Sequence, residues 1–404
     1  MAASYDRLGP RAGARRASQQ GSHAIAMTET TPEIRTASRG RPGLFLDQHA
    51  DRRRVPVVLL SGFLGSGKTT LVNALLADPR LADTAVAVNE FGEVPLDQHL
   101  IAHGEDRTVV LANGCLCCNL AGGFEDAVMR VFTRREAGDL PRFARLLIEP
   151  SGLADPAPIA QALLRNPVLS RAFRLEAIIA TADAVRIEQQ LADHAEAGQQ
   201  IALADLLVVT KTDLVSAATE ARVRTALRRR NPGAPIEGAP IEGAPIERAP
   251  IKRGHAVTAD AAALLPAGFL DPSADTPLRD RGRWLAEPVA VAPDPDHLVG
   301  TRAVSLSADR PLRWRAFDAW LRGIRIGLAP QLLRVKGLLD IAGTGGPVLI
   351  QGVGHVLQAP VALERWPDHD HRSRLVLITR GLPGNTIRDS WNAALPDLIA
   401  TTEP

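Results

Sequence analysis

Cysteine is scarce in this 404-residue chain, and all of it falls within four positions, at Cys115, Cys117 and Cys118. Three clustered cysteines with none elsewhere cannot form a disulfide framework, so they indicate a reducing, cytoplasmic compartment and metal or redox chemistry. The sequence also lacks an apolar run of the roughly 20 residues that a membrane helix needs, and it has no apolar signal-peptide core. These absences exclude a disulfide scaffold and give no reason to expect a membrane partner.

A large excess of one charge is missing as well: the formal net charge is +2, and 23% of the residues are charged. The surplus is local, because residues 1–54 hold ten arginines against five acids. Nothing therefore marks a groove for nucleic acid. Lysine is rare among the 47 basic residues, and only Lys68, Lys211, Lys252 and Lys336 depart from arginine. Each lysine therefore indicates a specific requirement.

The start of the chain differs in composition from the rest. Residues 1–53 are rich in Arg, Ser, Ala and Gly with little apolar periodicity, which predicts a disordered leader. The Arg-rich, acid-poor beginning superficially resembles a transit peptide. A start codon assigned too early is the favoured interpretation, since Met27 opens the segment MTETTPEIR. The remaining length and the 45% hydrophobic content fit about two to three globular domains.

Short apolar runs alternate with segments of helical spacing from residue 54 onward. Near-continuous apolar strands of this kind predict an α/β fold, with a mostly parallel sheet covered by helices on both faces. The predicted strands span residues 55–60, 84–88, 108–112, 144–149, 175–183 and 205–210. Beyond residue 300, the runs TRAVSLSA, GPVLIQGVGHVLQ and SRLVLITR, with two helical stretches, predict a smaller α+β domain.

Residues 234–253 form a five-residue tandem repeat, APIEGAPIEGAPIERAPIKR, with proline in every unit. Proline at this frequency excludes a helix or a central strand. One interpretation makes the first copy the last edge strand of the sheet, with the other copies looping out. The favoured interpretation is a slippage insertion without function. Residues 266–299, rich in Pro, Asp and Gly, predict a linker.

A phosphate-binding P-loop is predicted at residues 62–69, which fit GxxxxGK[ST] between an apolar strand and a helix. Glycines let backbone N–H groups turn toward phosphate oxygens, and the helix N-terminus adds positive potential. We expect Lys68 to reach the β- and γ-phosphates and Thr69 to ligate Mg²⁺. The other candidate nucleotide ligands in this segment are Gly62, Gly65, Ser66, Gly67 and Thr70.

A second nucleotide signal follows the last apolar strand, in Val-Thr-Lys-Thr-Asp ending at Asp213. In P-loop GTPases an [NT]KxD segment at this place identifies guanine, because the aspartate accepts from N1–H and the exocyclic amine. Thr210, Lys211 and Asp213 are therefore candidate guanine-binding residues. A helix N-cap at Asp213 is the alternative.

Two acidic residues are candidate ligands near the phosphates. Glu149 ends the strand LLIE and precedes Pro-Ser-Gly, where a Walker B carboxylate would reach Mg²⁺ directly or through water. Glu90, in NEFGE, could face the metal or the nucleotide, or cap a turn. We therefore predict Glu149 as a catalytic residue with Lys68 and Thr69, and keep Glu90 open as a metal ligand.

The three cysteines lie in GCLCC, between a predicted strand and a predicted helix. Thiolates are soft ligands suited to Zn²⁺ or Cu(I), and a helix N-terminus would lower the thiol pKa. Three sulfurs leave a tetrahedral Zn²⁺ one ligand short, as expected of an open or transferable site. A redox pair or small buried core residues are the alternatives to metal binding by Cys115, Cys117 and Cys118.

Together these segments resemble the CobW family of P-loop GTPases, which are relatives of the UreG and HypB nickel chaperones. The resemblance rests on PVVLLSGFLGSGKTTLVNALL, VAVNEFGEV, GCLCC, LLIEPSGLADPAPI and DLLVVTKTDL, and it continues with RPLRWRAFDAWL, LLRVKGLLDIAG and VLIQGVGHVLQ. It implies a P-loop GTPase domain at 54–265, with the repeat as an insertion, and a CobW-like C-terminal domain at 300–397. Thr210 stands where the family commonly has Asn, so weaker base selectivity is expected.

The activity implied by the resemblance is that of a metallochaperone that hydrolyses GTP and transfers zinc to a client metalloenzyme. GTP, Mg²⁺ and Zn²⁺ are then the bound species, with zinc on the CxCC cysteines. Slow intrinsic turnover is expected, since no water-positioning Gln or arginine finger is recognisable. The alternatives are a cobalt-directed chaperone of cobalamin synthesis and a regulatory module that responds to GTP and zinc without delivering metal. A homo-oligomer stays open.

Overall fold

The structure is a computed structural model and describes residues 44–88, 108–110, 123–140, 142–231, 233–238, 261–266, 301–383 and 385–400. These residues form two β-sheets. The first sheet lies between residues 55 and 238, and the second lies between residues 301 and 380 with one added strand, β1 (Leu46–Asp47). None of the described helices is long and apolar enough to cross a membrane.

The first sheet is parallel throughout its described pairings. Its strands are β2 (Val55–Gly62), β3 (Thr84–Val88), β4 (Thr108–Val110), β5 (Arg145–Glu149), β6 (Phe173–Asp183), β7 (Leu206–Thr210) and β8 (Ile236–Gly238). Their spatial order is β4-β3-β5-β2-β6-β7-β8. In β2, β3, β5 and β6 every residue is buried, as expected of parallel strands covered on both faces.

Helices cover both faces of the first sheet, so the predicted α/β fold class is confirmed. The helices in this part are α2 (Lys68–Leu76), α3 (Gly123–Ala137), α4 (Pro156–Arg165), α5 (Leu169–Ala172), α6 (Ile187–Asp193), α7 (Ala195–Leu203) and α8 (Ala217–Arg230), whereas α1 (Gln48–Arg52) follows β1 in the chain. Successive residues of β2 point to opposite faces. Leu60 packs in a cluster with α2, whereas Leu59 packs in another with α3, α4 and α7.

The second sheet is largely antiparallel, in agreement with a separate C-terminal α+β domain. It contains β9 (Thr301–Ala308), β10 (Leu332–Leu339), β11 (Val348–Val353), β12 (Val356–Leu357), β13 (Val361–Ala362) and β14 (Ser373–Arg380). The order is β1-β13-β11-β10-β14-β9, with β12 paired to β11. Two helices, α9 (Trp314–Gly327) and α10 (Thr386–Leu398), pack against one face.

The other face of the second sheet packs on the helices of the first. Leu333, Val353 and Ile378 belong to the same buried cluster as Ile159 of α4 and Ala202 of α7. Apolar burial of this kind stabilises by about 25 cal/mol per Å². The two sheets are therefore joined through a continuous apolar core across α4 and α7.

The prediction of a disordered leader through residue 53 is wrong for residues 44–53. Leu46 pairs in parallel with Val361 of β13, and the Asp47 side chain accepts from the backbone N–H of His49 at the start of α1. Asp51 is buried in an ion pair with Arg54. Of these partners, Val361 lies far away in sequence, and the polar composition of residues 44–53 gave no sign of that pairing. Residues 1–43 lie outside the described residues.

The first copy of the proline-rich repeat contributes an edge strand, which was the less favoured interpretation. Ile236–Gly238, within that copy, forms β8 and pairs in parallel with β7. An edge strand pairs with a neighbour on one side only, so the missing N–H of a proline is tolerated there. The rest of the repeat, and all of the predicted linker 266–299 except residue 266, lie outside the described residues, so these domain bounds stay predictions.

Candidate nucleotide-binding site

The residues predicted to bind phosphate, Mg²⁺ and the base lie at or just after the ends of neighbouring strands of the first sheet. Strands β5, β2, β6 and β7 lie side by side and run parallel. Their carboxyl ends therefore meet at one edge, where ligands bind in open α/β sheets. The structure brings Glu149, residues 62–70, Asp183 and residues 210–213 together at this edge.

The phosphate-binding loop, residues 62–67, depends on glycine at positions where the backbone is left-handed or crowded. Gly62 has φ 141°, and a Cβ there would lie 2.2 Å from the Thr181 hydroxyl oxygen. Gly67 has φ 90° and is the N-cap of α2. Residues with a side chain rarely adopt these backbone conformations. The loop thus delivers its backbone to the N-terminus of α2, which favours a bound anion such as phosphate.

Side chains from β6, from β7 and from the residue after β7 anchor the phosphate-binding loop. The fully buried Ser66 hydroxyl shares a 2.7 Å hydrogen bond with the Thr181 hydroxyl. The Thr210 hydroxyl donates to the Ser66 carbonyl at 2.8 Å, and the Lys211 ammonium donates to the Gly65 carbonyl at 2.8 Å. These bonds fix the loop before any nucleotide arrives, which reduces the entropy that binding must remove.

A hydroxyl and a carboxylate suited to Mg²⁺ meet beside the loop. The Thr69 hydroxyl, in the first turn of α2, donates to Oε1 of Glu149 at 2.8 Å. Glu149 ends β5 and is buried. Magnesium prefers such oxygen ligands and is usually held by one or two protein groups together with substrate phosphates. The donor set therefore fits the metal that the sequence predicts.

Lys68 lies at the first residue of α2 and is buried. Its ammonium group donates to the Phe63 carbonyl at 3.3 Å, so it folds back over the phosphate-binding loop. The Phe63 ring in turn stacks on His194, with centroids 4.6 Å apart. Thr70, two residues after Lys68, is exposed. The lysine is thus held at the loop, as a phosphate-directed group requires.

The predicted base-recognition segment, residues 210–213, is held by a residue that sequence reasoning missed. Lys211 has φ 57°, a left-handed conformation that is uncommon for a side-chain-bearing residue and often marks a functional site. Its ammonium group lies 2.6 Å from Oδ2 of the buried Asp183, at the end of β6. Asp213 lies in a short turn, Thr212–Leu214, and is exposed. A carboxylate ending a buried strand next to the loop was the signal available for Asp183.

Thr210 occupies a different position from the one that a base-contacting role suggests. Its hydroxyl donates to the Ser66 carbonyl at 2.8 Å and lies 3.3 Å from the Ala182 carbonyl, and its side chain lies against Gly67. Thr210 is therefore bonded to the phosphate-binding loop. Its contribution to base selectivity stays a prediction.

The predicted zinc residues are not among those that the structure describes. Cys115, Cys117, Cys118 and Glu90 all lie in the undescribed ranges 89–107 and 111–122. Within the described ranges, no group of three or more His, Cys, Asp or Glu is placed to hold a metal ion. Zinc ligation by the cysteines stays a prediction.

The family comparisons agree with this geometry. A family profile described as "CobW/HypB/UreG, nucleotide-binding domain" matches residues 56–237, and one described as "Cobalamin synthesis protein cobW C-terminal domain" matches residues 301–395. The chain is 31% identical to the zinc chaperone YjiA of Escherichia coli over 342 residues, which is 83% of this chain and 98% of that protein.

A second curated relative matches over a shorter part of its length, and a solved structure has a similar fold. The chain is 34% identical over 200 residues to the zinc-regulated GTPase metalloprotein activator 1 of Schizosaccharomyces pombe, covering 48% of this chain and 47% of that protein. The crystal structure of Zn(II)-bound YjiA GTPase from E. coli matches with a TM-score of 0.56 and 26% identity, covering 84% of this chain and 99% of that chain. The resemblance read from the sequence is confirmed, and the chain belongs to the CobW/HypB/UreG family of nucleotide-binding proteins and carries the CobW C-terminal domain.

Proposed function

We propose that this protein is a GTP-hydrolysing metallochaperone that binds Zn²⁺ through Cys115, Cys117 and Cys118 and transfers it to a client metalloprotein. The observation that carries the nucleotide half is the 2.8 Å hydrogen bond between Thr69 and Glu149 beside an anchored phosphate-binding loop. Thiolate chemistry supports the zinc half, because three thiolates with an open fourth position suit a transferable ion. Relatives named zinc chaperones support the same assignment.

The residues of the site divide the work of GTP hydrolysis. Backbone N–H groups of the phosphate-binding loop and the Lys68 ammonium orient the phosphates, and Thr69 and Glu149 would hold Mg²⁺, which would supply neutralisation of phosphate charge. Asp213 accepts from guanine, and Lys211 keeps the base-recognition turn tied to the phosphate-binding loop. No covalent intermediate is needed, because positioning of water and charge stabilisation carry phosphoryl transfer to water.

The transfer half requires that the two sites influence each other. If one nucleotide state holds zinc and the other releases it, the factor by which GTP changes zinc affinity must equal the factor by which zinc changes GTP affinity. This reciprocity separates a chaperone driven by GTP from a protein with two independent sites. A regulatory module that delivers no metal would show the coupling without any transfer.

The test measures GTP turnover, zinc affinity and zinc release on one preparation. Turnover that changes on adding Zn²⁺, together with zinc affinities that differ between a non-hydrolysable GTP analogue and GDP, is the expected result. Chelator competition reports the affinities. A client is then sought by co-purification from metal-starved cells. Tight GTP binding without turnover would instead favour the regulatory module, and equal zinc affinities in both states would defeat the chaperone mechanism.

A further inference from the structure

The loop after Glu149, residues 150–155, lies directly against the phosphate-binding loop. A Cβ at Gly152 would lie 2.8 Å from the backbone nitrogen of Leu64 and 2.9 Å from its Cα. Such contacts are shorter than van der Waals distance, so the two loops approach as closely as a glycine permits. Since the 150–155 loop begins at the residue after Glu149, a displacement of this loop would disturb both the carboxylate and the phosphate-binding loop.

A buried glutamine of α7 holds this loop from within the protein. The side chain of Gln200 is fully buried, and its Nε2 donates to the carbonyls of Gly152 and Ala154, at 3.0 Å each. Its Oε1 is buried without a hydrogen-bond partner among the described residues. Burying an acceptor without a partner is unfavourable. The contribution of Gln200 is therefore its two donated bonds, both directed at the 150–155 loop.

The neighbouring glutamine connects the same loop to the second sheet. Gln199 donates through Nε2 to Oδ2 of Asp155 at 2.6 Å, and its Oε1 accepts from Nη1 of Arg380 at 3.1 Å. Arg380 is the last residue of β14. Asp155 also accepts from the backbone N–H of Ala157 at 2.8 Å, as the N-cap of α4. The carboxyl end of the 150–155 loop is thus linked through α7 to the C-terminal domain.

We propose that Gln200 is a positioning residue for GTP hydrolysis, and that Arg380, acting through Gln199 and Asp155, gives the C-terminal sheet control over the same loop. The hydrogen bonds of Gln200 go to the 150–155 loop and not to Thr69 or Glu149; it acts by keeping this loop, and with it Glu149, in place beside Thr69. A partner that occupied Arg380 would release one end of the loop and lower turnover. This inference rests on the proposed GTPase function and adds to it a route by which the C-terminal domain regulates hydrolysis.

The experiment measures steady-state GTP turnover in Gln200→Leu, Gln199→Ala and Arg380→Ala. We expect kcat of Gln200→Leu to fall by about ten- to a hundredfold, since misplacement by about 1 Å at a distance costs that much, while the KM for GTP changes little. Arg380→Ala and Gln199→Ala should each lower kcat by a smaller factor. Because they break one relay, the double variant should be no slower than the slower single variant.

Matched controls separate positioning from general destabilisation. Gln190→Leu removes another buried glutamine, on α6, whose side chain makes no contact with the loop in the described hydrogen bonds, and Arg388→Ala removes an exposed arginine bonded to the Ser305 carbonyl. Thermal unfolding is measured for every variant. If Gln200→Leu does not fold, the surface variants Arg380→Ala and Gln199→Ala decide the question.

Two failures can be told apart. A wild-type protein that turns over GTP, with Gln200→Leu, Gln199→Ala and Arg380→Ala matching the kcat of the controls, would overturn this inference alone. A loss of thermal stability with unchanged kcat would do the same, since it would assign only a structural role. Absence of wild-type GTP turnover would overturn the proposed function, and this inference with it.

Discussion

Arg334 of β10 and Asp205, which immediately precedes β7, form a buried bidentate ion pair. Nη2 of Arg334 lies 2.9 Å from Oδ1 and 2.7 Å from Oδ2 of Asp205. Lys336 Nζ lies 2.8 Å from Oδ1, and Oδ2 accepts from the backbone N–H of Ile178 at 2.8 Å. Burial opposes ionisation of Asp205, but the two cations and these hydrogen bonds outweigh it and lower its pKa. The pair joins the two sheets at the amino end of β7.

Replacing Arg334 by Met should destabilise the fold. The substitution leaves Asp205 buried beside a single cation, and breaking a buried pair by removing one partner costs about 3–5 kcal/mol. Urea unfolding measures the free energy. Arg372→Met is the matched control, because Arg372 pairs with Asp370 on the surface, where solvent screens the charges. An equal loss in both variants would contradict the special role of the buried pair.

Lys336 should make stability depend on alkaline pH. Burial, opposed by Asp205, lowers the pKa of Lys336 from 10.5 to about 8. Between these values the unfolded chain binds more protons than the folded chain, so the free energy of unfolding rises as pH increases through the window. Lys336→Met should remove that part of the rise. Denaturant unfolding of both proteins at pH 7.5, 9 and 10.5, taken as about the start, middle and end of the window, checks this, and parallel pH profiles would contradict it.

Asp213→Asn should reduce the preference for GTP over ATP. The change removes the acceptor for guanine N1–H and the exocyclic amine, which costs about 1–3 kcal/mol of GTP affinity. ATP affinity should change little. Calorimetric titration with both nucleotides measures this, with Asp193→Asn as the control, since Asp193 is an exposed residue bonded to Gln189 on α6. Equal affinities for GTP and ATP in the wild type would reject guanine recognition here.

Glu149→Gln should weaken Mg²⁺ binding, so that a higher Mg²⁺ concentration is needed to support GTP binding. The substitution keeps the shape of the side chain but removes the charge that faces Thr69, and we expect the Mg²⁺ concentration for half-maximal effect to rise by about tenfold or more. Titrating Mg²⁺ against a fluorescent GTP analogue measures the shift. Glu188→Gln, which loses only a surface contact with Arg222, should behave like the wild type. A shift of the same size in the control would argue against a metal-ligating Glu149.

Replacing Cys115, Cys117 and Cys118 together by Ser should abolish thiolate binding of zinc. In the wild type, binding should release protons, and zinc affinity should fall as pH decreases, because the thiols must lose their protons to bind. Isothermal titration in buffers of different ionisation enthalpy counts the protons, and X-ray absorption identifies the ligand atoms. A spectrum with nitrogen and oxygen ligands only, or an unchanged stoichiometry in the triple variant, would reject the site.

Local sequence pattern was sufficient to predict the sheet that carries the site. Strands such as β2 and β7 are near-continuous apolar runs, and a buried parallel strand needs no partner-specific signal to be recognised. The phosphate-binding loop is also local, since its glycines, Lys68 and Thr69 stand in one segment. Glu149 and Lys211 could be proposed as site residues because each directly follows or ends such a strand.

Contacts between distant residues could not be read from the same patterns. Thr181 and Ser66 are 115 positions apart, and Asp205 and Arg334 are 129 apart. Periodicity states which face of a strand is buried but not which side chain will meet it. Gln200 was also missed, because nothing in the local sequence shows that a single polar residue on a helix will donate two hydrogen bonds to a distant loop. The scarcity of lysine was the one hint that Lys336 occupies an unusual place.

The pairing of β1 with β13 affects the order in which the chain can fold during synthesis. Leu46 meets Val361, so this strand leaves the ribosome about 315 residues before its partner, which at about 5–20 residues per second is roughly 15–60 s. The first sheet can form during this delay, since all of its described strands precede residue 239. β1 then docks late in translation, and a ribosome stalled before residue 361 would hold a nascent chain with β1 still unpaired.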